Sequence, residues 1–177
     1  MNSIKQIEVI YNNRLVGRLA LTREGLCAFE YSAEWLSSGF SISPFELPLR
    51  SGVFIAKPRP FEGGFGVFDD CLPDGWGLLI LDRYLQQKGI NPRTLTLLDR
   101  LALVGSTGRG ALEFRPDNSV VTRQDFADFE KLALEAEKIL ASDDYMGEGI
   151  EEFQDRGGSP GGARPKIFVR YNDKEWL

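Results

Sequence analysis

Between Arg156 and Val169 the chain runs RGGSPGGARPKIFV. Four glycines, Ser159 and prolines lead to Lys166, and Ile167-Phe168-Val169 then reads as a buried strand. A glycine-rich turn feeding a strand can bring backbone N–H groups close to phosphate, because residues without Cβ let the main chain approach a ligand and aim its amides at one anion. The same residues also fit a plain connection before a last strand. A lone glycine run is a weak signal, and on residue chemistry alone it favours that second reading. Familiar phosphate motifs fail when tested literally. Gly157 and Gly162 have the spacing of a Walker loop, but Ala163-Arg164 follow where Lys-Ser/Thr is required. The kinase pattern G-x-G-x-x-G is absent as well.

The chemistry open to such a turn is narrowed by what the chain lacks. It has no histidine, which removes Ser-His-Asp and Cys-His nucleophilic machinery, His-ligated zinc and a histidine general base. Cys27 and Cys71 are the only cysteines, too few for a disulfide framework or a cysteine-rich metal site. Cys27 sits in an apolar strand-like run and Cys71 just before Leu72-Pro73, so both read as core or near-core thiols. No metal site is expected. With a net charge of −5 and no basic stripe among aromatics, direct nucleic-acid binding by this chain is not expected either. No apolar run approaches the ~20 residues of a membrane helix. The opening MNSIKQIEVIYNN has neither a basic n-region nor an apolar h-region, so a cytoplasmic address is the expectation.

The elements that must position the turn follow from periodicity. Residues 4–22 read as two apolar-rich segments around Asn12-Asn13, a pair suited to a tight hairpin turn. Gly17 breaks the alternation and suggests a bulge. Leu26–Tyr31 gives a third strand, and Ser32 caps a short helix through Trp35 and Leu36 that ends near Gly39. The two prolines of residues 42–52 suggest an extended edge or loop. A helix is predicted from Asp74 to Lys88, with Trp76, Leu79, Ile80 and Tyr84 on one face, and a second from Thr94 to Leu103, with Leu95, Leu98, Leu101 and Ala102 on one face. Gly105–Gly110 is a turn and Ala111–Phe114 a strand. Thr122 is a candidate N-cap for a long helix to about Leu140, with Phe126, Phe129, Leu132, Ala133, Ala136 and Ile139 inward and a solvated mixture of Glu130, Lys131, Glu135, Glu137 and Lys138 outward. Residues 142–165 show no periodicity. Strands first, then helices, then one strand and helix, then the glycine-rich turn and a final strand make the class α+β rather than an alternating βαβ series.

Three stretches taken together resemble one family. LPDGWGLLILDRYL at 72–85, LDRLALVGSTGRGALEF at 98–114 and GGSPGGARPKIFV at 157–169 are similar to the amino-terminal portion of HipA-type toxins, the serine/threonine protein kinases of type II toxin–antitoxin modules. NNRLVGRL, FEYSAEWL and ELPL fit in the same order, so the resemblance spans nearly the whole chain. It implies a small antiparallel β-rich, HipA-like sub-domain at 1–115, strands and then helices. Residues 116–177 would then hold a linker helix, the Gly-rich loop and the first strand of a truncated kinase-like N-lobe. On that pattern Ser159 matches a regulatory serine that these kinases autophosphorylate, and Gly161, Gly162, Ala163, Arg164, Pro165 and Lys166 match the segment around the ATP phosphates. Arg109 matches a position near the nucleotide. The catalytic Asp, the Asn or Asp set for Mg²⁺ and the strand lysine of phosphoryl transfer match nothing in these 177 residues. ATP and Mg²⁺ are therefore expected only for a complete kinase, and this chain alone is expected to be inactive. The implied partners are a helix-turn-helix, HipB-like antitoxin, a remaining kinase domain and a cytoplasmic protein substrate, by analogy an aminoacyl-tRNA synthetase, with a link to persistence. The alternative is a non-catalytic interaction or inhibitory module docking on a separately encoded kinase core in a split toxin–antitoxin system.

Overall fold

Asn12 and Asn13 both take positive φ, 47° and 60°, the geometry of a two-residue hairpin turn whose twist matches that of its strands. They join β1 (Gln6–Tyr11) to β2 (Arg14–Leu21), and the chain continues through β3 (Cys27–Tyr31), α1 (Ala33–Ser38), β4 (Val53–Ile55), α2 (Gly66–Asp69) and α3 (Gly75–Gln87). A 3-10 turn at Pro92–Thr94, α4 (Leu97–Val104), β5 (Leu112–Arg115) and α5 (Phe129–Ala141) follow. The computed structural model describes residues 3–108, 110–119, 129–142, 145, 150, 153, 162 and 164–166. The chain forms two compact units, residues 1–72 with 95–119, and residues 73–94 with 120–177.

In the first unit an antiparallel five-stranded sheet runs in the order β4-β3-β2-β1-β5. The predicted bulge is present: Val9 faces Gly17 but Ile10 faces Leu15, which leaves Val16 as the extra residue. Glycine is required at 17 because an added Cβ would collide with the Glu30 carbonyl oxygen. Alternation places Ile7, Val9, Leu19, Phe29, Tyr31 and Phe54 on the core face, against Phe68 of α2 and Leu98, Leu101 and Val104 of α4. Each such side chain removed from water contributes about 1.5–3 kcal/mol. The opposite face carries charge in cross-strand register, and Arg18 donates to Glu8 at 3.2 Å.

Local chemistry sets the ends of these elements. Ser32 accepts from the Trp35 N–H and Gly39 closes α1, as expected from the sequence. The proline-containing segment after α1 is a loop with one bridge, Ser43 to Leu47. It is pinned by Tyr31, whose hydroxyl donates to the Leu47 carbonyl at 2.6 Å and accepts from the Ile42 N–H at 3.1 Å. Two elements escape the sequence reading. Strand β4 is only three residues long, and α2 begins where Glu46 accepts from the Gly66 N–H at 2.9 Å, a cap twenty residues away in sequence. The second predicted helix starts three residues later than Thr94, because Thr96 and Asp99 form a capping box. Asp99 is 3% exposed and also accepts from the Ile4 N–H at 2.9 Å, which ties the start of the chain to α4.

The second unit is helical among its described residues. Trp76 and Ile80 of α3 pack with Leu132, Ala136 and Ile139 of α5, and with Ile150 and Phe153. Leu79 and Tyr84 line the same cluster, as the periodicity predicts. Three corrections concern residues after 129. Ala133, expected inward, is exposed, while Glu135, expected in solvent, is 8% exposed. Ile150 and Phe153, in a stretch read as aperiodic, have helical backbone and are fully buried. Thr122 as N-cap and the inward Phe126 lie outside the described residues. The observed class is α+β, with the sheet leading the chain.

Candidate functional site

The described part of the glycine turn rests on the first turn of α3. A helix N-terminus leaves its first N–H groups without intrahelical partners, and here Asp74, although at the N-cap, makes no side-chain cap hydrogen bond. The Trp76 N–H instead donates to the Gly162 carbonyl at 2.9 Å. A loop carbonyl thus does the work of a capping side chain. Trp76 is held on its other side by the core, where its ring meets Phe153 edge-on with centroids 5.4 Å apart. Its indole Nε1–H is buried and has no hydrogen-bond partner among the described residues.

Gly162 has φ of 84°, the left-handed region that favours glycine. A Cβ built there would lie 3.4 Å from the Lys166 ammonium nitrogen, so the chain turns back far enough to bring the end of the Lys166 side chain beside the glycine. Arg164 is exposed, and Pro165 and Lys166 are half-buried. The ammonium of Lys166 thus lies beside the described glycine of the turn, with the exposed Arg164 between them in sequence. That donor set suits an anionic oxygen cluster such as a phosphate, through one short-range ammonium and an exposed guanidinium. The structure brings together Gly162 and Lys166 of the sequence-identified residues, with Arg164 and Pro165 between them. Ser159, Gly161, Ala163 and Arg109 lie outside the described residues.

The turn that begins at Gly105 is anchored within the first unit. Asp117 accepts from the Ser106 N–H at 3.1 Å and the Ser119 N–H at 3.0 Å. Partial burial acts to raise the Asp117 pKa, but hydrogen bonds from Ser106 and Ser119 outweigh it and hold the carboxyl below its ordinary value. Gly105, at φ 50°, has no room for a side chain, since a Cβ would collide with the same carboxylate.

Two features of the second unit went unread in the sequence. Trp76 was legible as a core residue, but its N–H as the seat of the glycine turn depends on a contact 86 positions away. Glu135 accepts from Lys138 at 2.7 Å and from the Tyr145 hydroxyl at 2.6 Å; the Lys138 bond, then the Tyr145 bond, hold its pKa low. The i,i+3 spacing of Glu135 and Lys138 was the available signal.

The remaining chemistry is restricted. Burial pushes the Cys27 thiol up to about 11. Burial and then Asp70 do the same to Cys71, whose Sγ–H donates to the Val67 carbonyl. Both are protonated thiols rather than nucleophiles at neutral pH. Among the described residues no group of three His, Cys, Asp or Glu side chains could hold a metal ion, and no helix is long and apolar enough to cross a membrane.

Comparison with known proteins places this fold. No curated protein sequence matches the chain. Among solved structures, one match is the HipA, HipB and operator DNA complex of the Shewanella oneidensis MR-1 toxin–antitoxin system. It has a TM-score of 0.56 and 21% identity, covering 96% of this chain and 37% of that one. At this identity the likeness speaks for the fold, and the chain spans little more than a third of the protein it matches. A sequence model described as the HipA N-terminal domain matches residues 7–115, which takes in the whole sheet, α3 and α4. The chain belongs to the HipA N-terminal domain family.

Proposed function

We propose that this chain is the amino-terminal region of a HipA-like serine/threonine kinase toxin and that its glycine turn holds the phosphates of ATP. The observation that carries the reading is the turn at Gly162, fixed to the first turn of α3 by the Trp76 N–H and with the Lys166 ammonium beside it. In the complete kinase Gly161, Gly162 and Ala163 would present backbone amides, Lys166 and Arg164 would supply positive charge, and Arg109 would contact the nucleotide. ATP supplies the transferable phosphoryl group and Mg²⁺ its neutralisation, while the catalytic carboxylates come from a kinase core. Ser159, three residues before Gly162, is the regulatory site. A phosphate there would compete for the same amide and ammonium donors that hold the nucleotide, which makes modification inhibitory. A helix-turn-helix antitoxin is the partner that supplies DNA contact, since this acidic chain has little with which to bind phosphodiester directly. The target is a protein of the cytoplasm, by family analogy an aminoacyl-tRNA synthetase.

The test is site-resolved mass spectrometry after incubation with Mg-ATP. Chain 1–177 alone is expected to transfer no phosphate, and the same chain joined to its kinase core is expected to carry phosphate on Ser159. ATP-dependent phosphorylation by 1–177 alone, or modification elsewhere with Ser159 untouched, would overturn the assignment.

A further inference from the structure

The outer edge of β4 has the wrong chemistry for an edge that merely faces water. Ala56 N–H donates to the Cys27 carbonyl at 2.8 Å, so Cys27 and Ala56 form a hydrogen-bonded pair of the β3–β4 ladder. Alternation then makes Phe29–Phe54 the next bonded pair and leaves Ala28–Ile55 and Glu30–Val53 as non-bonded pairs. The N–H and C=O groups of Val53 and Ile55 consequently point away from the sheet, and among the described residues nothing pairs with them. Their side chains share the solvent face and are 58% and 61% exposed. Natural sheets usually blunt such an edge with charged side chains on the strand itself. Here the two outward residues are Val and Ile.

The surroundings specify a partner. Among the described residues, the exposed large hydrophobics of the first unit, Phe40, Phe45, Leu49, Val53 and Ile55, all fall between residues 40 and 55, and Phe45 is 100% exposed. Residues 47–61, LPLRSGVFIAKPRPF, contain Arg50, Lys57 and Arg59 and no acid, in a chain whose net charge is −5. All three cations are exposed, and Arg50 lies over the Phe54 ring at 4.6 Å. We propose that this edge receives an extended, acidic segment of a partner protein, which adds a strand beside β4. Backbone bonds to Val53 and Ile55 would set its register, alternate apolar side chains would cover Val53 and Ile55, and acidic residues would face Arg50, Lys57 and Arg59. The inference rests on the first unit alone and is independent of the phosphate reading.

Ile55→Pro is the discriminating variant, because it removes an outward N–H that the sheet does not use, at a position where an edge strand tolerates proline. The probe is a synthetic blocked heptapeptide, Glu-Val-Asp-Val-Glu-Val-Asp, titrated into the isotope-labelled 177-residue chain and followed by NMR. The expected result is saturable shifts and slowed amide exchange at Val53–Ile55, with affinity at least tenfold weaker for the peptide in which every acid is Lys. Ile55→Pro should abolish binding without moving the thermal midpoint. Lys57→Glu with Arg59→Glu, outside the strand, should reverse the charge preference and keeps the test open if the proline variant unfolds. Absent binding, equal binding of both peptides, or binding that survives both sets of changes would overturn the proposal. Self-association lost in Ile55→Pro would also overturn it, since the edge would then serve a second copy of this chain.

Discussion

Asp117 shows at one residue how the turn before β5 is kept in place. Its carboxylate takes the Ser106 and Ser119 N–H groups, and those bonds hold its pKa below the ordinary value against the opposing effect of partial burial. A carboxyl whose pKa is lower in the folded than in the unfolded chain contributes stability above its unfolded pKa, and that contribution is lost as pH falls through the folded value. Thermal midpoints measured on acidification through the carboxylate range, about pH 4 and below, should therefore fall less steeply in Asp117→Asn than in the parent chain, with the variant less stable near neutrality. Equal acid slopes would show that the carboxylate does not hold the turn. Glu135 obeys the same sign through Lys138 and Tyr145, so an Asp117→Asn comparison is cleanest when read on the sheet-containing unit.

At the scale of the element, α4 offers the sharpest contrast between a local and a tertiary contact. Thr96→Ala removes only the capping hydroxyl and should cost about 1 kcal/mol. Asp99→Ala removes the acceptor for the Thr96 N–H, the Thr96 hydroxyl and the Ile4 N–H, and should cost about 3 kcal/mol, because three half-buried donors lose the buried carboxylate that they share. Chemical denaturation of both variants measures the difference; equal losses would mean that the Ile4 contact carries nothing. The same contrast explains what was readable in the chain. The hairpin, the bulge, the caps of α1 and the apolar faces of α3 and α4 all follow from neighbours within a few residues, and each was legible. Strand β4, the Glu46 cap on α2 and the burial of Ile150 and Phe153 depend on partners far along the chain. The mixed-charge face of α5 misled for a related reason, because Glu135 is covered only once Tyr145 arrives from beyond the helix.

For the whole molecule, family and fold agree with the sequence resemblance, and the match over residues 7–115 is to the HipA N-terminal domain. The two units interleave along the chain, with residues 73–94 grouping with residues 120–177. That grouping was hidden in the sequence, because the apolar stripe of α3 reports that the helix is buried and not which helix buries it. Of the candidate site, the sequence supplied the glycine turn and Lys166, and the fold supplied its seat on the Trp76 N–H. The most direct test of that site compares ATP with adenosine in binding to the chain assembled with the proposed kinase core, for the parent protein and for Lys166→Ala. Loss of one charge-assisted phosphate contact should weaken ATP by roughly tenfold, about 1.4 kcal/mol, and leave adenosine unchanged. Unchanged affinity for ATP, or an equal loss for both ligands, would contradict a phosphate-holding turn.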